Sequence, residues 1–295
     1  MVDVITKKIL KDRRCVDCFK RSYQRLFKKY KVCEENQKKF LIEFDKIIND
    51  SQDLSAPEIQ RELSHNFCDL IGIDDPFYEE KKQSNVQALE IFKRWKPIVF
   101  KEPDSFKTTL RLAIAGNIMD YGASDHFYID SVIIKVLHAE FAIDNSCELK
   151  ERIESAQKIL YLGDNAGEIV FDRLFIETNM SDKVTYVVKS GPVLNDVTMA
   201  DADEVAMCHT ANVITNGYDA PSTVLSKSSE EFLEHYRNAD LIISKGQGNL
   251  EGLLHENDDR IFFLLMVKCD VIAELLGVDK GSFVVFNGGK RIEES

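Results

Sequence analysis

The sequence predicts an α/β protein in which an all-helical N-terminal part precedes a mostly parallel, doubly wound sheet. Three observations carry this expectation. Up to about Glu154, apolar residues recur at spacings of three and four. Beyond it, short β-rich runs alternate with helical ones, the pattern of a parallel sheet covered by helices. The first of these runs, Lys158 to Leu162, stops at Gly163 and delivers Asp164 and Asn165 into a turn before a helix.

In the first half, Cys18 to Tyr30 and Phe40 to Asn49 carry the helical spacing. Ser55-Ala-Pro-Glu58 reads as a capped helix start, and the prolines of Asp74-Asp-Pro76 and Lys101-Glu-Pro103 mark breaks between helices. Strands are expected at Lys158 to Leu162, Lys183 to Lys189, Glu204 to Cys208, Leu241 to Ser244, Ile261 to Met266 and Ser282 to Phe286. The change of texture places a boundary near 154, giving a helical subdomain over 1–154 and an α/β domain over 155–295.

In open α/β sheets the crevice beyond the carboxyl ends of the strands is where ligands bind, and helix N-termini turned toward it favour anions. Gly163-Asp-Asn-Ala-Gly-Glu168 lies at such a junction, with Glu168 opening the following helix. Asp and Asn also cap helices and make turns, so a plain strand-to-helix junction is the alternative. A second strand ends in Ser190-Gly-Pro-Val-Leu-Asn195-Asp196-Val-Thr198. If the two strands are neighbours, Asp164, Asn165 and Asp196 converge as three hard oxygen ligands for a divalent cation. Lys245-Gly-Gln-Gly-Asn249 follows a third apolar run; its glycines free backbone amides and its lysine adds a point charge, the logic of a phosphate cradle. Lys268 is a lone cation after an apolar run, free to reach solvent. In the helical half, Asn117 and Asp120 share a helix face amid small residues, either at a helix end or facing the crevice.

Composition bounds the function. The chain of 295 residues has 38 basic and 50 acidic residues, a net charge of −12, which disfavours nucleic acid and anionic membranes as partners. Small phosphorylated metabolites remain compatible through a metal and local lysines. No apolar run reaches membrane-spanning length and no signal-peptide core is seen at the start, so a cytoplasmic protein is expected. The 7 cysteines suit reduced thiols. Cys15-Val-Asp-Cys18 has a spacing used for zinc or redox chemistry, but no second such pair completes a four-ligand site. The chain lacks the G-x-S-x-G elbow of an α/β-hydrolase.

The order of these motifs resembles the damage-control phosphatase family, also called domain of unknown function 89, in its prokaryotic branch with an N-terminal CxxC. The likeness runs from about Cys15 to Val278. It implies a three-layer α/β/α, Rossmann-like domain with a helical N-terminal part. It further implies a phosphatase dependent on a divalent metal (manganese, cobalt, nickel or magnesium) and acting on sugar phosphates or damaged phosphometabolites. By the same resemblance Asp164, Asn165 and Asp196 are the metal ligands, while Asn117, Asp120, Lys245 and Asn249 border the substrate. Another branch has an Arg-Thr-x-Lys motif, of which Leu265-Met-Val-Lys268 keeps only the lysine.

The expected mechanism places phosphate between that metal and Lys245, Lys268 and nearby amides. The nucleophile is either water or the Asp164 carboxylate, and Glu168 or Asp120 acts as proton shuttle or as a cap. Two rivals are kept. An S-adenosylmethionine-dependent carboxyl methyltransferase would use the glycine-rich turn, although its next strand ends in Lys189-Ser-Gly rather than in an acidic residue. A non-catalytic metal- or metabolite-binding redox module would use the CxxC.

Overall fold

A computed structural model describes residues 12–50, 54–116 and 133–290. Three helices open it: α1 (Arg13–Lys29), α2 (Glu34–Asp50) and α3 (Ala56–Ile71). Asp12 caps α1 by accepting from the Arg14 amide, and Ser55 and Glu58 form a capping box on α3, which ends at Gly72 in the left-handed conformation. Their facing sides bury Tyr23, Phe27, Phe40, Phe44, Leu63 and Phe67 in a core of their own, knit by edge and tilted ring contacts.

Two further helices, α4 (Tyr78–Val99) and α5 (Ser105–Ala115), belong instead to the core of the sheet. The remaining elements alternate: β1 (Phe141–Asp144), α6 (Ser146–Ser155), β2 (Ile159–Leu162), α7 (Glu168–Asn179), β3 (Val184–Val188), α8 (Met199–Glu204), β4 (Asn212–Thr215), α9 (Glu230–Asn238), β5 (Leu241–Lys245), α10 (Gly246–Leu253), β6 (Ile261–Met266), α11 (Asp270–Leu276) and β7 (Phe283–Asn287). The 7 strands form a sheet in the order β1-β7-β6-β5-β2-β3-β4. Every pair is parallel except β6 with β7. Helices α4 to α8 cover one face and α9 to α11 the other, so the predicted α/β class and three layers are present. Central strands are covered on both sides, which is why β2 and β5 are buried throughout and apolar up to the last two residues of β5, Ser244 and Lys245.

Two strand expectations change. Glu204 to Cys208 is no strand: α8 ends there and a 3₁₀ turn follows, while the strand lies at Asn212–Thr215. Val205 and Met207 are apolar because they pack inside the core from a turn. The sheet also takes its edge strand Phe141–Asp144 from the stretch read as helical. Four residues of alternating burial are too short a signal to outweigh helical surroundings.

Register sets up the site. Leu162 pairs with Val187 on one side and with Ser244 on the other, so β2, β3 and β5 end level with one another. The chain leaves β2 toward β3 and β4, then returns to β2's other side with β5; that reversal of strand order is the switch point where such sheets open a crevice. Phe44 is fully buried in the α1–α3 core, so Phe44→Ala is expected to cost about 3–5 kcal/mol in chemical denaturation.

Candidate active site

At the switch point the loops after β2 and β3 are tied together by main-chain bonds. The Gly163 amide donates to Val187 O (3.0 Å), Val197 N to Asp164 O (2.9 Å) and Ala166 N to Asn195 O (3.0 Å), and Asn165 and Asp196 form an isolated β-bridge. Asp164, Asn165 and Asp196 are thereby brought together, each less than one tenth exposed. The Asn165 carboxamide donates through Nδ2 to Asp164 and to Glu168 Oε2 (3.2 Å), which leaves its oxygen on the other branch. Asp196 Oδ2 is buried without a hydrogen-bond donor, and its nearest cation, Lys189 Nζ, is 3.8 Å away.

The electrostatics of this corner are those of crowded acids. Burial, then the neighbouring Glu168 charge, pushes the Asp164 carboxyl up to about 6, against the pull of Lys268, Lys189 and Lys245. Burial also holds Asp196 well above the usual carboxylate range, and burial lowers Lys189 despite Asp196 and Asp164 beside it. A buried carboxylate oxygen without a donor is costly, and a hard divalent cation satisfies two carboxylates and an amide oxygen together. The residues present therefore fit such an ion. Among the described residues no group of three or more His, Cys, Asp or Glu could hold a metal; the set here depends on the amide of Asn165.

Lys245 ends β5 but turns inward, away from the role of an open phosphate contact. It is fully buried, and its Nζ donates to Ala113 O (2.8 Å), Glu168 Oε1 (2.7 Å) and Asp172. An ammonium has three donors and all are engaged. Burial works against its charge, but Asp172 and Glu168 outweigh burial and hold its pKa above the ordinary lysine value. Asp172 also accepts from Tyr161 (2.7 Å) and Tyr186 (2.9 Å). Gly246 follows at φ +78°, and a Cβ there would sit 2.0 Å from Asp164 Oδ2, so glycine is what lets that carboxylate approach.

Asn249 knits the loops rather than facing open space. Its Nδ2 donates to Lys245 O (2.8 Å) and Gly163 O (3.2 Å), and its Oδ1 accepts from Lys189 Nζ (3.2 Å) and Thr223 Oγ1 (3.0 Å). Lys268 is exposed and lies close enough for its charge to lower the carboxyls of both Asp164 and Asp196. Asn117 and Asp120 lie outside the described residues. Sequence reasoning missed Lys189 and Asp172. Lys189 carried the same signal as Lys245, a lysine closing an apolar strand, whereas Asp172 looked like one polar position in an amphipathic helix.

The damage-control phosphatase ARMT1-like domain model matches residues 12–284. The chain is 38% identical over 222 residues to the damage-control phosphatase PH1575 of Pyrococcus horikoshii, covering 73% of this chain and 75% of that protein. It is 33% identical over 221 residues to a damage-control phosphatase of Archaeoglobus fulgidus, covering 73% and 77%. The crystal structure of a DUF89 family protein from Pyrococcus horikoshii superposes with a TM-score of 0.83 at 32% identity, covering 94% of this chain and 98% of that one.

Two consequences are measurable. Gly246→Ala is expected to destabilise the fold by at least about 1–3 kcal/mol in thermal or chemical unfolding, since it combines left-handed strain with a clash on Asp164. Glu251 on α10 is pushed up from 4.5 to about 7, by burial first and then by the Asp164 charge, against a hydrogen bond from Gln247. The folded chain keeps this proton up to about pH 7 while the unfolded chain releases it near 4.5, so its contribution to stability is lost as pH rises across that window. Melting temperatures measured between those pH values should show this fall flattened in Glu251→Gln.

Proposed function

We propose that this chain, which belongs to the damage-control phosphatase ARMT1-like domain family, hydrolyses small phosphate monoesters with a divalent cation held by Asp164, Asn165 and Asp196. The enzyme class, a phosphatase of metabolite damage control, comes with the family; the ion, the substrates and the residue roles are the reading put forward here. Manganese, cobalt, nickel and magnesium are the candidate ions, and sugar phosphates or damaged phosphometabolites the candidate substrates. The observation that carries the reading is Asp196 Oδ2, buried without a donor and held by the Asn165 bridge beside Asp164.

When bound, a divalent cation there polarises a phosphoryl oxygen and neutralises developing charge. The chain's own residues do the rest. Lys268, exposed at the rim, draws the phosphate in, and Lys189 supplies buried positive charge beside Asp196. Lys245 acts from beneath: it fixes Glu168, whose second oxygen fixes the Asn165 amide. With both oxygens engaged inside the protein, Glu168 is a spacer between Lys245 and Asn165 rather than a proton shuttle. Asp164 either attacks phosphorus, displacing the ester oxygen to give an acyl phosphate that water then hydrolyses, or takes a proton from the water that attacks as the ester P–O bond breaks. Among the described residues no helix is long and apolar enough to cross a membrane.

The test is phosphate release from a panel of phosphate esters with each of the four metals. Activity should require added metal, and Asp164→Ala, Asp196→Ala and Lys189→Met should each lower kcat/KM by about a hundredfold or more. Metal-independent turnover that survives both aspartate changes, or methyl transfer without phosphate release, would sink the reading.

A further inference from the structure

The helical half reaches the site through α4. Its sequence there, Lys81-Lys-Gln-Ser-Asn85, reads as a solvated polar face, yet Lys81 and Asn85 are buried. They sit one helical turn apart and point the same way. Asn85 Oδ1 accepts from the Gly167 amide (2.7 Å), in the loop that carries Asp164 and Asn165. Its Nδ2 donates to Asp201 Oδ1 (3.1 Å) and Glu204 Oε2 (2.8 Å) on α8, which directly follows Asp196. Lys81 Nζ reaches Asp201 Oδ2 (3.0 Å), Asp75 Oδ2 (3.2 Å), and, at 3.5 Å each, Thr198 Oγ1 and Asp196 O. Asp201 in turn accepts from Thr198 N (2.8 Å) and Thr198 Oγ1 (2.6 Å). One face of α4 thus holds both loops at once.

We propose that Lys81 and Asn85 are positioning residues that clamp the Asp164–Asn165 loop to the Asp196 segment and so set the spacing of the three oxygen ligands. This rests on the cation reading above. A residue that orients ligands without touching the ion shows itself in metal affinity, whereas a purely structural one shows itself in stability alone. The main-chain ties between the loops set which residues face each other; the clamp sets how far apart the loops stand.

The experiment is calorimetric titration of metal-free protein with manganese alone, no substrate present, beside a thermal melt of each variant. Lys81→Met and Asn85→Ala should each weaken the manganese Kd by about ten- to a hundredfold. The double variant should weaken it by less than the product of the two, because both residues act through Asp201. Phe44→Ala, destabilised in the remote α1–α3 core, should keep the parental Kd. Should Asn85→Ala fail to fold, Asn85→Gln and Lys81→Met carry the same test. Manganese affinity within about twofold of the parent in folded α4 variants, with Asp164→Ala unable to bind, overturns the clamp and leaves the cation site standing. Parental affinity in Asp164→Ala overturns both.

Discussion

The architecture of the site hangs on one buried ammonium. Lys245 is fully enclosed, and a charge so placed persists only when paired and hydrogen-bonded on every side. Glu168 and Asp172 supply the countercharge from α7, and Ala113 O closes the shell from α5. Tyr161 and Tyr186, stacked at 5.3 Å on adjacent strands, each donate to Asp172 and hold it in turn. The central strands, the helix after β2 and the helix over them are joined in this way by one ionic knot. Losing one member would leave an uncompensated charge in the interior, a penalty several times that of a surface pair. Asn165 inherits its orientation from this knot through Glu168, so the direction of its amide oxygen is set from beneath.

Much of this was legible in the sequence. The end of β2 at Gly163, the acidic and amide residues after β2 and β3, and the approach of Asp164, Asn165 and Asp196 all follow from the rule that parallel strands present their carboxyl ends together. The direction in which Lys245 points was not legible. A lysine followed by Gly-Gln-Gly reads as an anion cradle, and only the carboxylates waiting on α7 turn the side chain inward. The α4 contacts were hidden for a related reason. Lys, Gln, Ser and Asn on a helix are what a solvated face looks like, and no local pattern reveals that two loops from the other half of the chain will cover them. The strand at Asn212–Thr215 was displaced in the reading because burial, which makes Val205 and Met207 apolar, does not distinguish a strand from a turn.

Charge accounting joins these layers. Asp164, Glu168, Asp172 and Asp196 stand within the site against two buried lysines, Lys189 and Lys245, while a third, Lys81, is balanced by the buried Asp201. Four potential anions and two cations leave a deficit of two positive charges, and without further countercharge the cheapest relief is for carboxyls to keep protons. That is the direction of Asp164, Asp172 and Asp196, all raised, with burial as the leading cause in each. A single divalent cation would cancel the same deficit without protons and at the same place, beside the donorless oxygen of Asp196. The acidic balance of the chain, −12 overall, would then cease to oppose a phosphorylated substrate. Attraction would come locally from the ion, from Lys189 and from the exposed Lys268, while the anionic surface beyond the screening length would contribute little. A protein that repels anions on average would in this way bind one at the point where its own carboxylates gather a cation.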